Sequence, residues 1–309
     1  MSSEKPSFQT RICPYGSDAI AEAATLILAG QPVAVPTETV YGLAGDATSG
    51  AAVAAIYAAK GRPSFNPLIV HVPNLAAAEA IAVFGEAARA LAVSHWPGPL
   101  TLVLPMREGC AIASLVTAGL PTIAIRVPAH PAMQALLAAC GSPLAAPSAN
   151  ASGSISPTRA AHVAASLGGC IPMIIDGGPC VVGLESTIIA VGEGGRLRLL
   201  RPGPIDLGLT LEQGGDIEAP GQLASHYAPV KPLRLNAVAA EADEWLIGFG
   251  EVAGNATLSA SGDLNEAAAK LFDLLHQADA SAHARIAVAT IPGVGLGLAI
   301  NDRLARAAA

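Results

Sequence analysis

The sequence predicts an α/β protein in two unequal parts, and three observations predict it. Between residues 10 and 205, short β-rich runs alternate with helical stretches, the order that builds a sheet covered by helices. Residues 206–231 interrupt that order with a turn-rich run carrying Gly214-Gly215, Pro220-Gly221 and Pro229, which reads as an interdomain linker. From 232 to 309 the β/α pattern resumes, giving a smaller second domain. Hydrophobic residues make up 52% of the chain, charged residues 13% and aromatics only 4%, so the core is expected to be large and built mainly from small side chains.

Taken in order, the expected strands of the first part are Val33–Pro36, Leu68–Val72, Leu100–Leu104, Thr122–Val127, Leu144–Ala146, Met173–Asp176, Ser186–Val191 and Leu197–Leu200. Ser17 is placed as N-cap of a helix over Asp18–Ala29 stopped by Gly30, and Ser49 as N-cap of Ala51–Lys60 stopped by Gly61. In the second part, strands are expected at Trp245–Phe249, Ala256–Ser259 and Arg285–Thr290, with helices at Leu264–Gln277 and Leu296–Ala308.

Several function classes fall away at once. No run of about 18 apolar residues lacks a charge or breaker, so no membrane span is expected. The opening MSSEKPSFQT has no basic, apolar signal pattern, so a cytoplasmic location is expected. Five scattered cysteines without a C-x-x-C pair, and histidines without metal spacing, argue against a disulfide frame or a zinc site. No Gly-Lys-Ser/Thr triplet exists, which excludes a P-loop. Gly293 to Gly297, GVGLG, reads as a tight βα turn. Residues 1–205 hold 11 basic and 11 acidic residues, and 206–309 hold 6 and 13, so neither half offers the basic excess of a protein gripping RNA by its surface field.

The chemistry gathers in loops. Pro36-Thr37-Glu38-Thr39-Val40-Tyr41-Gly42-Leu43 follows a strand and offers hydroxyls at its end. Lys60-Gly61-Arg62-Pro63-Ser64-Phe65-Asn66-Pro67 sets two cations on a stiffened loop, a clamp for phosphate oxygens. Residues 147–158, from Pro147-Ser148-Ala149-Asn150 to Thr158, can aim backbone N–H groups and hydroxyls at an anion. Arg126 ends one strand, and Arg201 follows another. Spacing alone supports a polyanion pocket such as one for ATP, and it stops there.

In this order, PTETVYGL, KGRPSFNPLIVH, WPGPLTLVL, RVPAHP, APSANASG with SPT, GLESTI and LRPG resemble the Sua5/YrdC family of threonylcarbamoyl-AMP synthases. APGQLASHYAP and the added domain are similar to its longer Sua5 branch. The resemblance implies a twisted open sheet with a wide positive cavity and a small Rossmann-like C-terminal domain. It also implies that L-threonine, bicarbonate and ATP, with Mg²⁺ on the triphosphate, give the adenylate and pyrophosphate. A downstream transferase would pass the product to tRNA. Carried over by motif, Thr39, His71, Arg126, Ser148 and Ser186 would face threonine, with Thr187 an open alternative to Ser186. Lys60, Arg62, Asn66, Thr122, Asn150, Thr158 and Arg201 would face ATP, with Lys60 and Arg62 closest to the chemistry, and Tyr227 would fold over the nucleotide. Glu38, Asp46, Asp176 and Glu185 are expected in structural hydrogen bonding. The resemblance carries an association with double-stranded RNA, yet the charge balance points away from strong direct tRNA binding. A carbamoyl-adenylate-forming relative and a non-catalytic RNA binder are the alternatives. Gly42-Leu43-Ala44-Gly45 departs from the family's GLGA, and the second domain is short for its branch.

Overall fold

The computed structural model describes residues 8–211, 218–221 and 226–309; Gly214, Gly215 and the Gln222–Ser225 part of the linker motif lie outside the described residues. The first part runs β1 (Arg11–Pro14), α1 (Ser17–Leu28), β2 (Val33–Pro36), β3 (Tyr41–Asp46), α2 (Gly50–Lys60), β4 (Ile69–His71), α3 (Leu75–Glu79) and α4 (Glu86–His95). It continues β5 (Leu100–Pro105), α5 (Ser114–Thr117), β6 (Thr122–Arg126), α6 (Pro131–Cys140), β7 (Leu144–Ala145), α7 (Ala160–Leu167), β8 (Met173–Asp176), β9 (Thr187–Val191) and β10 (Leu197–Arg201). These strands form one open mixed sheet in the order β1-β8-β2-β3-β7-β4-β6-β5-β9-β10. The second part adds β11 (Leu233–Ala237), β12 (Glu244–Gly248), β13 (Ala256–Thr257), α8 (Leu264–Ala280), β14 (Arg285–Ala289) and α9 (Leu296–Ala307). Its four strands are all parallel, in the order β11-β14-β12-β13.

Local signals explain most boundaries. Ser49 Oγ accepts from the Ala52 N–H at 3.3 Å, and Gly61 ends α2 at φ 60°, as the sequence predicts. Ser17 is a correction: it is the first residue of α1, Gly16 occupies the cap position, and no side chain caps that helix. A larger correction concerns Tyr41–Asp46. That stretch is a strand, antiparallel to β2 with Val35 opposite Gly42. Thr37–Val40, read from the sequence only as hydroxyls at a strand end, is therefore the tip of a hairpin.

Alternation along the strands sorts the sheet into two faces. Val70, Leu102, Ile125 and Ile189 pack beneath α2, α4 and α7. On the other face, Val33, Val35, Ala44 and Met173 pack beneath α1 and α6. Further along that second face Ile69, Val103, Ala124, Ile188 and Ala190 form a small apolar floor with Leu200 and Ala219. There Ala219, in the polypeptide after β10, supplies part of the cover.

The second domain is fastened down. Gly183 lies against α8 so closely that a Cβ would stand 2.5 Å from Ala268 O and from the Ala269 Cα, and its φ of 74° favours glycine in any case. Arg303 of α9 is fully buried; its Nε donates to Glu185 at 2.7 Å and an Nη donates to Pro202 O at 3.0 Å. Asp273 of α8 accepts from Arg159 at 2.7 Å and lies 3.3 Å from His162 Nε2. The His162 and His276 rings stack with centroids 3.9 Å apart across the junction. Val40, Ile155 and Leu184 join the core of the second domain, so the apolar interior is continuous across the seam.

Candidate active site

The hairpin tip between β2 and β3 meets the C-terminal ends of β4 and β6. His71 and Arg126 are direct partners in the β4–β6 register, so both side chains rise from the same face beside the tip. Arg126 donates to Gly98 O (3.1 Å), Thr39 Oγ1 (3.0 Å) and Glu38 Oε1 (2.6 Å). The second Glu38 oxygen accepts from the Ala129 N–H at 3.1 Å. Burial alone would raise the Glu38 pKa, but the adjoining Arg126 charge and hydrogen bond hold it below the ordinary value. His71 is buried, and burial followed by the Arg126 charge lowers its pKa to about 3, so it is neutral at physiological pH.

The cationic loop lies at the other end of β4. Arg62 Nε donates to Asn66 O at 3.2 Å and an Nη donates to Pro67 O at 3.0 Å, folding the guanidinium over its own loop. Burial lowers its pKa to about 10, which leaves it charged near neutrality. Lys60 braces the neighbouring loop. Its ammonium donates to Ser148 O and Asn150 O at 2.5 Å, and to Asn150 Oδ1 at 3.4 Å. Burial and Arg62 pull its pKa down; three oxygen acceptors around one ammonium work the other way. Thr122 begins β6, opposite Pro105 on the neighbouring β5. Asn150 Nδ2 donates to Ser154 O at 2.8 Å, shaping the 148–158 loop, and Thr158 lies beside His162.

Ser186 immediately precedes β9 and Thr187 opens it, and their contacts separate the two hydroxyls. Thr187 Oγ1 donates to Ile205 O and accepts from the Ile205 N–H, each at 2.9 Å. Ser186 lines the cavity. Arg201 donates to Ser186 O at 3.0 Å and to Ser186 Oγ at 3.1 Å.

A strap crosses above these groups. The His226 N–H donates to Arg306 O at 3.1 Å, and the Ala228 N–H donates to Gly153 O at 2.8 Å. Between them Tyr227 is buried at a φ of 65°, a costly backbone for an aromatic residue. Its ring centroid is 5.2 Å from the Arg303 guanidinium and 5.7 Å from the Phe272 centroid.

Thr39, Arg62, His71, Arg126, Ser148, Ser186, Arg201 and Tyr227 thus line one cavity, while Lys60, Asn66, Thr122, Asn150 and Thr158 stand outside its lining. The free space is only about 50 Å³, so it is not the wide cavity the resemblance implies. The strap and the Pro220-Gly221 turn occupy the rest. Seven buried side-chain polar atoms among the described residues have no partner in the protein; three of them, His71 Nδ1, His226 Nδ1 and Tyr227 Oη, belong to lining residues, and two more, Asn66 Oδ1 and Nδ2, to the adjoining cationic loop. Buried polar atoms are rarely left unpaired, so this concentration marks a place built for hydrogen bonds to something else. The four suspected carboxylates are engaged: Glu38 with Arg126, Asp46 with Thr48, Asp176 with Gly178, and Glu185 with Arg303 and Ser156. Three contributors escape the sequence reading: Thr101, Ser156 and Arg303. A signal existed for two of them. Thr101 is a polar residue inside an apolar strand, and Arg303 falls at helical spacing on the apolar face of α9 with Ile300, Leu304 and Ala307.

Known proteins resemble this chain along most of its length. The family model of the Sua5, YciO and YrdC proteins, described as telomere recombination, covers residues 25–203. The model described as the C-terminal domain of threonylcarbamoyl-AMP synthase covers 205–309. A threonylcarbamoyl-AMP synthase of Bacillus subtilis is 41% identical over 94% of this chain and 92% of its own. One from Pyrococcus abyssi is 39% identical, covering 92% of each. The crystal structure of P. abyssi Sua5 complexed with L-threonine superposes with a TM-score of 0.88 at 35% identity, over 97% of both chains. Matched by these two family models over residues 25–203 and 205–309, the chain belongs to the Sua5/YciO/YrdC family, in the form that carries the Sua5-type C-terminal domain.

Proposed function

We propose that the chain is an L-threonylcarbamoyladenylate synthase, supplying the activated group for N6-threonylcarbamoyladenosine in tRNA. One observation carries the reading. Arg62, Arg126 and Arg201 arrive from three separate segments at one cavity, together with three lining residues, His71, His226 and Tyr227, that each carry a buried polar atom without a protein partner. Such a site suits an anionic substrate with many acceptors, and its relatives along the full chain carry the synthase name.

The chemistry asks little acid–base work of the protein. The threonine amine and bicarbonate give a carbamate and water. A carbamate oxygen then attacks the α-phosphate of ATP, forming the mixed anhydride as the bond to pyrophosphate breaks. Arg62 and Arg201 would offset charge on the phosphates, with Lys60 acting one layer behind by holding the Ser148–Asn150 loop. Asn66, Thr122, Asn150 and Thr158 would complete the nucleotide side, and Tyr227 would close over it and exclude water. Arg126 would pair with the threonine carboxylate beside Thr39, Ser148 and Ser186. His71, being neutral, suits a polar uncharged group of the amino acid better than its carboxylate. Glu38 and Glu185 are each held by arginine, so Mg²⁺ would travel on the triphosphate and not on a protein carboxylate. The enzyme would work in the cytoplasm and hand its product to a downstream tRNA transferase. No helix among the described residues is long and apolar enough to cross a membrane.

Pyrophosphate release is the test. It should require ATP, Mg²⁺, L-threonine and bicarbonate together, with the adenylate mass appearing alongside. Arg62→Ala and Arg126→Ala should each lower the rate by about 100-fold or more. A folded double variant of normal activity would remove the assigned site.

A further inference from the structure

Ser186 and Thr101 form a hydroxyl pair that is fully buried, with Oγ–Oγ1 at 2.7 Å. Thr101 stands on β5, next to β9 in a parallel register that sets Thr101 against Ile188 and Leu100 against Thr187. Either oxygen could be the donor from distance alone. The remaining contacts decide between them.

A hydroxyl carries one proton and two lone pairs. Arginine only donates, so the Arg201 contact to Ser186 Oγ at 3.1 Å occupies one Ser186 lone pair. Suppose Ser186 donated to Thr101. The Thr101 proton would then be buried with no acceptor, since Ser186 is the side-chain partner of Thr101. An unmade bond of that kind costs about 1–3 kcal/mol. Suppose instead that Thr101 donates. Both Ser186 lone pairs are then filled, and the Ser186 proton turns toward the cavity that Ser186 lines, where a ligand oxygen can accept it.

We propose that Thr101 is a positioning residue that makes Ser186 a one-way donor. By filling the second lone pair, Thr101 fits Ser186 to an acceptor-only substrate group, a carboxylate or carbamate oxygen, and turns it against an N–H at that point. The inference rests on Ser186 facing the amino-acid substrate, as proposed above.

Thr101→Val keeps the shape and removes the proton, and Thr101→Ser keeps the proton. The Kd of L-threonine is measured by calorimetry without ATP, and KM for both substrates by pyrophosphate release. Thr101→Val should weaken threonine about tenfold while the ATP KM stays within about twofold, and Thr101→Ser should restore most of the loss. A purely structural role would move both substrates and the melting temperature together. In a Ser186→Ala background, Thr101→Val should add no further loss, because the effect passes through Ser186. If Thr101→Val does not fold, Thr101→Ala takes its place in the same series. Normal threonine affinity in the valine variant, or a loss that adds to Ser186→Ala, overturns the proposal while leaving the proposed activity intact. If Ser186→Ala itself binds threonine normally, or the unaltered protein does not bind threonine, the substrate-facing reading fails and this inference fails with it.

Discussion

Arg126 shows how much of the site is set one side chain at a time. Its Nε and both Nη atoms are held by Gly98 O, Thr39 and Glu38, so the guanidinium plane is fixed before any ligand arrives. Glu38 is doubly bound, to Arg126 and to the Ala129 N–H. Glu38→Gln must turn an NH₂ toward one of these two donors, so one contact becomes a clash of donors. The expected outcome is a threonine KM raised about tenfold with little change for ATP, and about 1–3 kcal/mol less stability. Initial rates against each substrate and a urea titration check both. At this scale the sequence was legible in residue type and opaque in direction. The two cations of the KGRP string were visible, but nothing in their spacing tells that Arg62 lines the cavity while Lys60 braces the Ser148–Asn150 loop.

Among the elements, the hairpin and the closing helix carry the site. The β2–β3 pair was half legible, because Tyr41–Asp46 holds two glycines and an alanine where strand formers would be expected, and only the partner strand shows it to be a strand. α9 was legible as a helix, yet its reach into the first domain was not, since long-range pairing leaves no trace in local periodicity. Arg303 is the measure of that reach. Burial would lower its pKa, but Tyr227, Glu185 and Asp302 outweigh that and raise it. Arg303→Met strands Glu185 as a buried charge, which should cost about 3–5 kcal/mol, whereas Arg303→Met with Glu185→Gln should recover much of it. Urea midpoints of the two variants test this, and equal losses in both would show that the pair carries no such coupling.

The whole molecule answers to pH through its interior histidines. Burial lowers His71 and His226 to about 3, and His276 to about 4. Their unfolded values lie near 6.5, so between about pH 6.5 and 4 the unfolded chain binds protons that the fold refuses. Stability should therefore be fully present above about pH 6.5 and fall on acidification, by at most about 1.4 kcal/mol per pH unit for each histidine. Glu38, Glu185 and Asp273, all held low, add a loss in the same direction below about pH 4.5. Urea midpoints at pH 8, 7, 6 and 5 should be flat at first and then decline; a flat series throughout would mean that these imidazoles charge in place. The strap brings time into the picture as well. It is tied to the first domain at Gly153 and to the second at Arg306, above about 50 Å³ of free space. A reactive acyl phosphate formed beneath it would be covered for as long as those two backbone hydrogen bonds hold, so its dwell inside would be counted in their openings. Hydrolysis in water outside would begin only when that clock runs out.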